Sequence, residues 1–469
     1  MAADVTSGAA YYRDAGVRAR MLEACGAVGT APPTATYVAG LLEGSAAHPN
    51  WAEADRLPIE RIDELWAGGA DISRSLWDTG HLVFMLELDY LNVDQPAEPF
   101  LRPAEVFFKI EGAFRAALQA LRGLGLAPRV LMTGRGYQFA GAVRLDAPVV
   151  DQLAELSPLP AWYAGVEQRR RPGITAALTA RQARASEGLG KVIEFVAHRI
   201  LAGASRAASI PVVFNGTVVG DGIVGRECIS IDFSHVGDPL DVRHMRLPFS
   251  LYQLHRLRPD LFGSQVAALP PLVALPRRRE PLFTRLSAGR SLSAGQAAAA
   301  DADAGLPDLA SGIETALERY RASALAAFHR RFEQDRRLAA TPPHTALAGL
   351  PPCVTAALTW PNDRLLKPEH IQHLVRVLMA RGTRPAAIAG LVQAAYESDH
   401  DWGDRWSRME PRARADFDVR VFAGLISTGL DSLVDFNCVS TQEKAICPRI
   451  ACRFDLRADR ERLLRARSV

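Results

Sequence analysis

No apolar run in this sequence reaches the roughly 18 to 20 residues that a membrane span requires, which excludes an ordinary transmembrane helix. The N-terminus lacks a basic-then-apolar signal pattern, so the expectation is a cytoplasmic protein with no membrane partner. Cysteine is scarce. Six in 469 residues are too few for a disulfide framework, yet four of them fall in the last quarter, and that clustering asks for a chemical reason. A large charge of one sign is also missing: 55 basic against 52 acidic residues leave +3, so any contact with nucleic acid must come from local basic patches. No internal repeat at a fixed period is present.

What is there is ordinary globular composition, 48% hydrophobic and 23% charged, in a chain longer than one hydrophobic core usually serves. Two or three domains are expected. Residues 1–80 read as mostly helical, for example 17–24 and 59–67, with turn-rich stretches at 30–34 and 46–50. The run HLVFMLEL at 81–88 is too short for a helix and ends at Asp89; a helical pattern follows at 103–124. Residues 129–132 form a second short strand entering Thr133-Gly134-Arg135-Gly136, after which 137–143 is extended again. A long helix is expected at about 175–201, then strands at 211–219 and 228–233. From 276 to about 304 the composition shifts to Arg, Ser, Gly and a run of alanines, the best linker candidate; beyond it the chain reads as helical throughout. The fold class is therefore α+β, ending in an all-α part.

Three acidic residues sit at strand ends: Glu87 and Asp89, two apart, and Asp232 in CISIDF. Period two places Glu87 and Asp89 on one face of their strand. A third carboxylate from a neighbouring strand completes a set of hard oxygen ligands for two Mg²⁺ or Mn²⁺ ions, the arrangement that nucleotidyl transfer needs. On spacing alone, strand-end acids that merely face solvent are the commoner case. Two further elements bear on the choice. The turn Thr133–Gln138 carries glycines that let backbone amides approach an anion, with Arg135 as a fixed charge. Downstream of Asp232, the segment HMRLPFSLY at 244–252 places Arg246 before a proline-fixed bend.

In sequence order, LELD, TGRGYQ, SID and RLPFSLY resemble the archaeo-eukaryotic primase superfamily, whose catalytic subunit carries an acid-x-acid strand, an S-G-x-G-x-H turn, a later single Asp and a basic-x-P-x-S-x-H segment. The resemblance spans about residues 80–260. It implies a catalytic core related to the RNA-recognition fold. Glu87, Asp89 and Asp232 would bind the metals and be catalytic; Thr133, Arg135, Gln138, Arg246 and Tyr252 would line the nucleotide pocket. Two departures matter: both family histidines are replaced, by Gln138 and Tyr252. Each substitute can donate a hydrogen bond, but neither carries positive charge near neutral pH.

Cys25 and Cys228 sit in apolar contexts and read as core thiols. Cys353, Cys438, Cys447 and Cys452 remain, a distant first cysteine followed by C-x8-C-x4-C, a spacing that leaves zinc and an iron-sulfur cluster both open. Their context, LPPC at 350–353, HIQHLVR at 370–376 and FNCVSTQEKAICPRIAC at 436–452, resembles the C-terminal domain of the primase large subunit. That resemblance covers about residues 346–455 and implies a 4Fe-4S cluster held by the four cysteines. His370, His373 and Arg376, on one helical face by their spacing, would contact template or the primer 5′ end; a solvated helix face is the plain alternative.

Together these readings imply a primase or primase-polymerase catalytic domain at 1–275, a linker and connecting helix at 276–345, and an iron-sulfur domain at 346–469. The implied partners are a single-stranded DNA template and NTPs or dNTPs. No helicase segment is recognisable, so a helicase or another replication or defence protein would supply unwinding. The alternative reading is a non-catalytic nucleic-acid-binding subunit of the same ancestry, in a defence or plasmid-replication system. A third is a zinc-stabilised DNA-binding protein, which requires the three carboxylates to lie far apart.

Overall fold

A computed structural model describes residues 8–42, 54–164, 178–214, 227–237, 244–338, 347, 349–359, 367–398, 410–448 and 452–467. The chain is mixed α and β. Its first segment forms helix α1 (Ala15–Ala24) and three short strands, β1 (Val38–Leu41), β2 (Asp55–Leu57) and β3 (Asp71–Arg74). This corrects the expectation of a mostly helical start. The helices at 15–24 and 62–67 do form, but between and after them a sheet is built in the order β2-β1-β3 and then β9 (Met245–Arg246), which lies some 170 residues downstream. Strands of three or four residues that pair at such separation leave almost no periodicity to read.

The second sheet is six-stranded, in the order β12 (Leu275–Pro276), β5 (Arg129–Met132), β6 (Gly136–Arg144), β4 (His81–Asn92), β8 (Glu227–Asp232) and β7 (Val212–Phe214). Its centre is β4 (His81–Asn92), where Leu82, Phe84, Leu86, Leu88 and Tyr90 bury one face against helices α2 (Pro103–Arg122) and α3 (Ala180–Ala207). The opposite face carries Val83, Met85, Glu87 and Asp89, so the strand alternates as a half-covered antiparallel strand should. Strands β5 (Arg129–Met132) and β6 (Gly136–Arg144) flank β4 on one side, and β8 (Glu227–Asp232) with β7 (Val212–Phe214) on the other. A methyl group on Gly136 would lie 1.9 Å from the Leu88 carbonyl oxygen, so only glycine lets β6 pair with β4 beside Asp89. Helix α3 starts at a capping box between Thr179 and Gln182; the expected residues 175–177 and 215–219 lie outside the described residues.

After β8 the chain forms β9 (Met245–Arg246) in the small sheet, then β10 (Leu251–Tyr252) paired with β11 (Leu272–Val273), then β12 (Leu275–Pro276) on the edge of the large sheet. The expected linker is not an extended spacer. It begins within β12 and continues as α4 (Leu282–Gly289) and α5 (Leu292–Ala300), which pack on α2 and α1. Its alanine run resembles low complexity in composition, but alanine is the strongest helix former, and here the run serves a packed helix.

Every described element after Pro276 is a helix. These include α6 (Ala310–Arg321), α7 (Ala324–Leu338), α8 (Pro352–Thr359), α9 (Pro368–Ala380), α10 (Pro385–Glu397), α11 (Pro411–Ser427) and α12 (Leu456–Arg467). They share a continuous core with the large sheet: Phe233, one residue past β8, meets Phe417 of α11 edge-on with ring centroids 5.9 Å apart. A buried polar knot crosses the same seam. Glu194 of α3 accepts hydrogen bonds from Arg420 of α11 and faces His329 of α7, both at 3.1 Å. A second core lies between α1 and the small sheet. No helix among the described residues is long and apolar enough to cross a membrane.

Candidate active site

The antiparallel register sets the geometry. Glu87 of β4 is the direct partner of Gln138 on β6 and of Asp232 on β8; Asp89 partners Gly136 and Ser230. Directly opposed residues project from the same face of a sheet, so Glu87, Asp89 and Asp232 emerge together on the face away from α2 and α3. The register therefore brings the three residues to one face of the sheet, Glu87 beside Asp232, whereas the zinc-stabilised DNA-binding reading expected them far apart.

Three like charges so close need compensation, and the neighbouring segments supply it. Arg135 binds Asp89 through both Nη2 (2.7 Å) and Nε (3.1 Å), and Gln138 donates Nε2–H to Glu87 at 2.9 Å. Asp232 caps the turn that follows it by accepting from the Ser234 amide at 2.8 Å. The Asp89 carboxylate, with Tyr252 and Glu87 beside it, raises the Arg135 pKa against the opposing effect of burial, so that guanidinium is always charged.

The RLPFSLY segment reaches the same place from the small sheet. Phe249 adopts φ 65°, a left-handed conformation that a bulky residue holds only when its surroundings enforce it. They do so here: the Tyr11 hydroxyl donates to the Phe249 carbonyl (3.0 Å), the Tyr12 hydroxyl accepts from the Leu251 amide (2.8 Å), and Ser250 Oγ accepts from the Ile72 amide (2.8 Å). The bend delivers Arg246 and Tyr252, both under one-tenth exposed, with the guanidinium 4.5 Å above the Tyr252 ring. Burial alone would lower the Arg246 pKa; Asp71, Tyr252 and Glu87 outweigh it and keep Arg246 charged. Burial pushes the Tyr252 phenol up to about 12, although Arg135 and Arg246 oppose it, so this hydroxyl is a neutral donor at physiological pH. Gly134 lies against the Tyr252 ring, where a side chain would collide at 2.5 Å. The Thr133 hydroxyl is a buried oxygen with no hydrogen-bond partner among the described residues.

Sequence reasoning missed Asp71. It is fully buried at the start of β3, pairs with Arg246 and accepts from the Gln253 amide at 3.0 Å. Little in the sequence signalled it, only a charged residue two positions after Gly68-Gly69 at the start of the short strand DISR. As a donor set the three carboxylates suit hard divalent cations. Among the described residues, no group of three or more His, Cys, Asp or Glu side chains is disposed to hold a metal ion, and at this face Arg135 and Gln138 occupy two of the carboxylates.

None of the six cysteines forms a disulfide; Cys25 and Cys228, outside the helical part, are fully buried, as their contexts implied. Cys353, on α8, is pushed up to about 12, first by burial and then by the thiols of Cys447, Cys438 and Cys452, although the four do not form a group disposed to hold a metal among the described residues. Exposure grades from buried Cys353 through Cys438 and Cys447 to exposed Cys452. His373 Nε2 lies 3.2 Å from Cys353 Sγ.

The α9 face carrying His370, His373 and Arg376 is not a solvated one. Each residue is about 4% exposed. Arg376 is gripped by Asp431 (2.6 and 2.8 Å) and Asp435 (2.9 Å), and these acids in turn fix the segment that leads into Cys438. Period 3.6 put the three residues on one face correctly but could not say that the face turns inward, because the acids that neutralise Arg376 lie 55 and 59 residues away.

Comparison with protein-family models, with curated proteins and with solved structures returns no match to this chain.

Proposed function

We propose that this chain is a DNA-dependent primase or primase-polymerase, an enzyme that joins NTPs or dNTPs on a single-stranded DNA template with release of pyrophosphate. The single observation that carries the reading is the meeting of four sequence-distant motifs at one face: Glu87, Asp89 and Asp232 surrounded by Arg135, Gln138, Arg246 and Tyr252. Glu87, Asp89 and Asp232 would hold Mg²⁺ or Mn²⁺, which when bound supplies the positive charge that the triphosphate and its leaving group require. Arg246, held by Asp71, and Arg135 present fixed guanidiniums for phosphate oxygens. Gln138 and Tyr252 donate neutral hydrogen bonds where the family uses histidine. Holding both reacting groups at this face would orient them, which lowers the entropic cost of the first bond.

The cysteines of the helical part bear on the same reading, since Cys438, Cys447 and Cys452 each act on the Cys353 thiol. A 4Fe-4S cluster on Cys353, Cys438, Cys447 and Cys452 fits a thiolate set drawn from distant segments, and would fix the domain that steadies template and first nucleotide. A replication or defence protein would provide unwinding.

One observation favours a second reading. Asp89 and Glu87 are each already bonded by a residue of the same site, Arg135 and Gln138, so the charge cluster is satisfied without ions. A non-catalytic nucleic-acid-binding subunit would keep such a site. Primer synthesis on single-stranded DNA with labelled nucleotides, run with Mg²⁺ and with Mn²⁺ separately, divides the two. Metal-dependent products support the enzyme, and template binding without products supports the subunit.

A further inference from the structure

The two guanidiniums at the carboxylate face are held in different ways. Arg246, 8% exposed, is paired with Asp71, a fully buried acid that opens β3 and is not one of the three carboxylates. Its charge is anchored by a partner of its own. Arg135 is anchored by the site itself: among the described residues its guanidinium bonds to Asp89 alone. Both donors, Nε at 3.1 Å and Nη2 at 2.7 Å, converge on the single oxygen Oδ2.

The main chain beneath Arg135 is clamped. The Thr133 amide donates to the Gly136 carbonyl at 2.9 Å, the Arg135 carbonyl accepts from the Tyr90 amide at 3.0 Å, and Gly136 is pressed against Leu88. The side chain is not clamped. It is 30% exposed and has several rotatable bonds, so it can leave Asp89 without disturbing β4 or β6.

A guanidinium and a divalent cation on one carboxylate oxygen exclude each other, because like charges a few ångströms apart repel far more in a partly buried site than in water. Mg²⁺ also gives up its waters reluctantly and is usually held by one or two carboxylates together with substrate phosphates. The contact that neutralises Asp89 therefore closes it. A phosphate group, which a guanidinium grips as it grips a carboxylate, is the ligand that draws Arg135 away.

We propose that the Arg135–Asp89 pair is an autoinhibitory contact: Arg135 is the resident cation of the site, blocks divalent cations from Asp89 in the free chain, and is released to the phosphates of an incoming nucleotide. The proposal rests on the reading of Glu87, Asp89 and Asp232 as metal ligands, and adds that the free chain holds cations weakly until a nucleotide takes Arg135.

The test is titration of the full chain with Mn²⁺ and no nucleotide, with bound ion read from loss of the free-ion electron paramagnetic resonance signal. Wild type is compared with Arg135→Gln, Arg135→Ala and the double variant Arg135→Gln, Asp89→Asn, each checked for folding by its melting temperature. Both single variants should bind Mn²⁺ at least about tenfold more tightly than the wild type, and the double variant should lose that gain. The sign separates blocking from mere support, since removal of an arginine that only orients Asp89 would weaken binding. Unchanged or weaker Mn²⁺ binding by the folded Arg135 variants would overturn the proposal and leave the metal-ligand reading standing. A gain that survives in the double variant would overturn it as well, because the ion would then lie elsewhere. No Mn²⁺ binding by any of the proteins would remove the metal-ligand reading and the proposal with it.

Release is read with ATP in the presence of a chelator. Asp89→Asn frees Arg135 and should bind ATP at least about tenfold more tightly than the wild type, a gain that should vanish in the double variant. No gain, or one undiminished in the double variant and hence due only to lost repulsion, would overturn the release.

Discussion

Glu87 on β4 and Asp232 on β8 stand directly opposite each other across the central strand pair of the large sheet. Like charges at opposed positions destabilise a sheet, and such a pair persists where a bound charge repays it. The chain partly offsets the cost with Arg135, Gln138 and Arg246, all contributed by loops or strands that reach this face from elsewhere. The site is thus an arrangement that local folding does not favour, maintained by long-range packing.

Asp71 is the clearest case of that packing. It is fully buried and its charge is matched by Arg246, itself 8% exposed. Asp71→Asn removes the charge and strands a buried guanidinium, so it should cost about 3–5 kcal/mol, read as a lower denaturant midpoint. Asp63→Asn, whose contact with Arg18 is exposed, should change stability by less than about 0.5 kcal/mol. Equal midpoints for the two variants would contradict the anchoring role.

Stability should also fall on mild acidification. His198 is buried beside Glu194 and His329, and burial lowers its pKa from 6.5 to about 4, although Glu194 opposes this. Between those values the unfolded chain binds a proton that the folded chain refuses, so stability rises with pH across that window and is lost as pH falls from 6.5 towards 4. Thermal unfolding at pH 7 and pH 5 should show the lower melting temperature at pH 5, and His198→Gln should narrow the difference. A melting temperature unchanged by pH in the wild type would contradict this.

For the thiols, anaerobically purified protein should contain iron and acid-labile sulfide in cluster proportion. Cys353→Ser or Cys447→Ser should reduce both and destabilise the helical part, because four thiolates from two distant segments staple it. Cys25→Ser should change neither metal nor sulfide, since Cys25 lies in the other core. Stoichiometric zinc without sulfide would keep the four-ligand grouping and overturn the cluster.

How much of this was legible in the sequence depends on range. Strands β4, β5, β6 and β8 and helices α2 and α3 follow from local periodicity, with ends within a few residues. Glu87 and Asp89 share a face by the same rule. That Asp232 joins them required β8 to pair with β4, which no local pattern states, and the order of motifs supplied it only through resemblance. The small sheet, Asp71 and the acids around Arg376 were not legible, because each depends on a partner tens to hundreds of residues away. The helix at 292–300 was not legible, because an alanine run is read by composition and its packing on α1 depends on residues far away in the chain.

The central claim is that Glu87, Asp89 and Asp232 serve the reacting nucleotide and not the fold or the template. The most direct measurement is single-turnover nucleotide incorporation on single-stranded DNA by wild type and by Asp232→Asn, with template affinity measured on the same preparations. Metal ligands act in the transition state and basic residues on the backbone, so incorporation should fall by about 10²–10³-fold or more while template affinity changes less than about threefold. Full incorporation by the folded Asp232→Asn protein, or no incorporation by the wild type with either Mg²⁺ or Mn²⁺, would contradict the account.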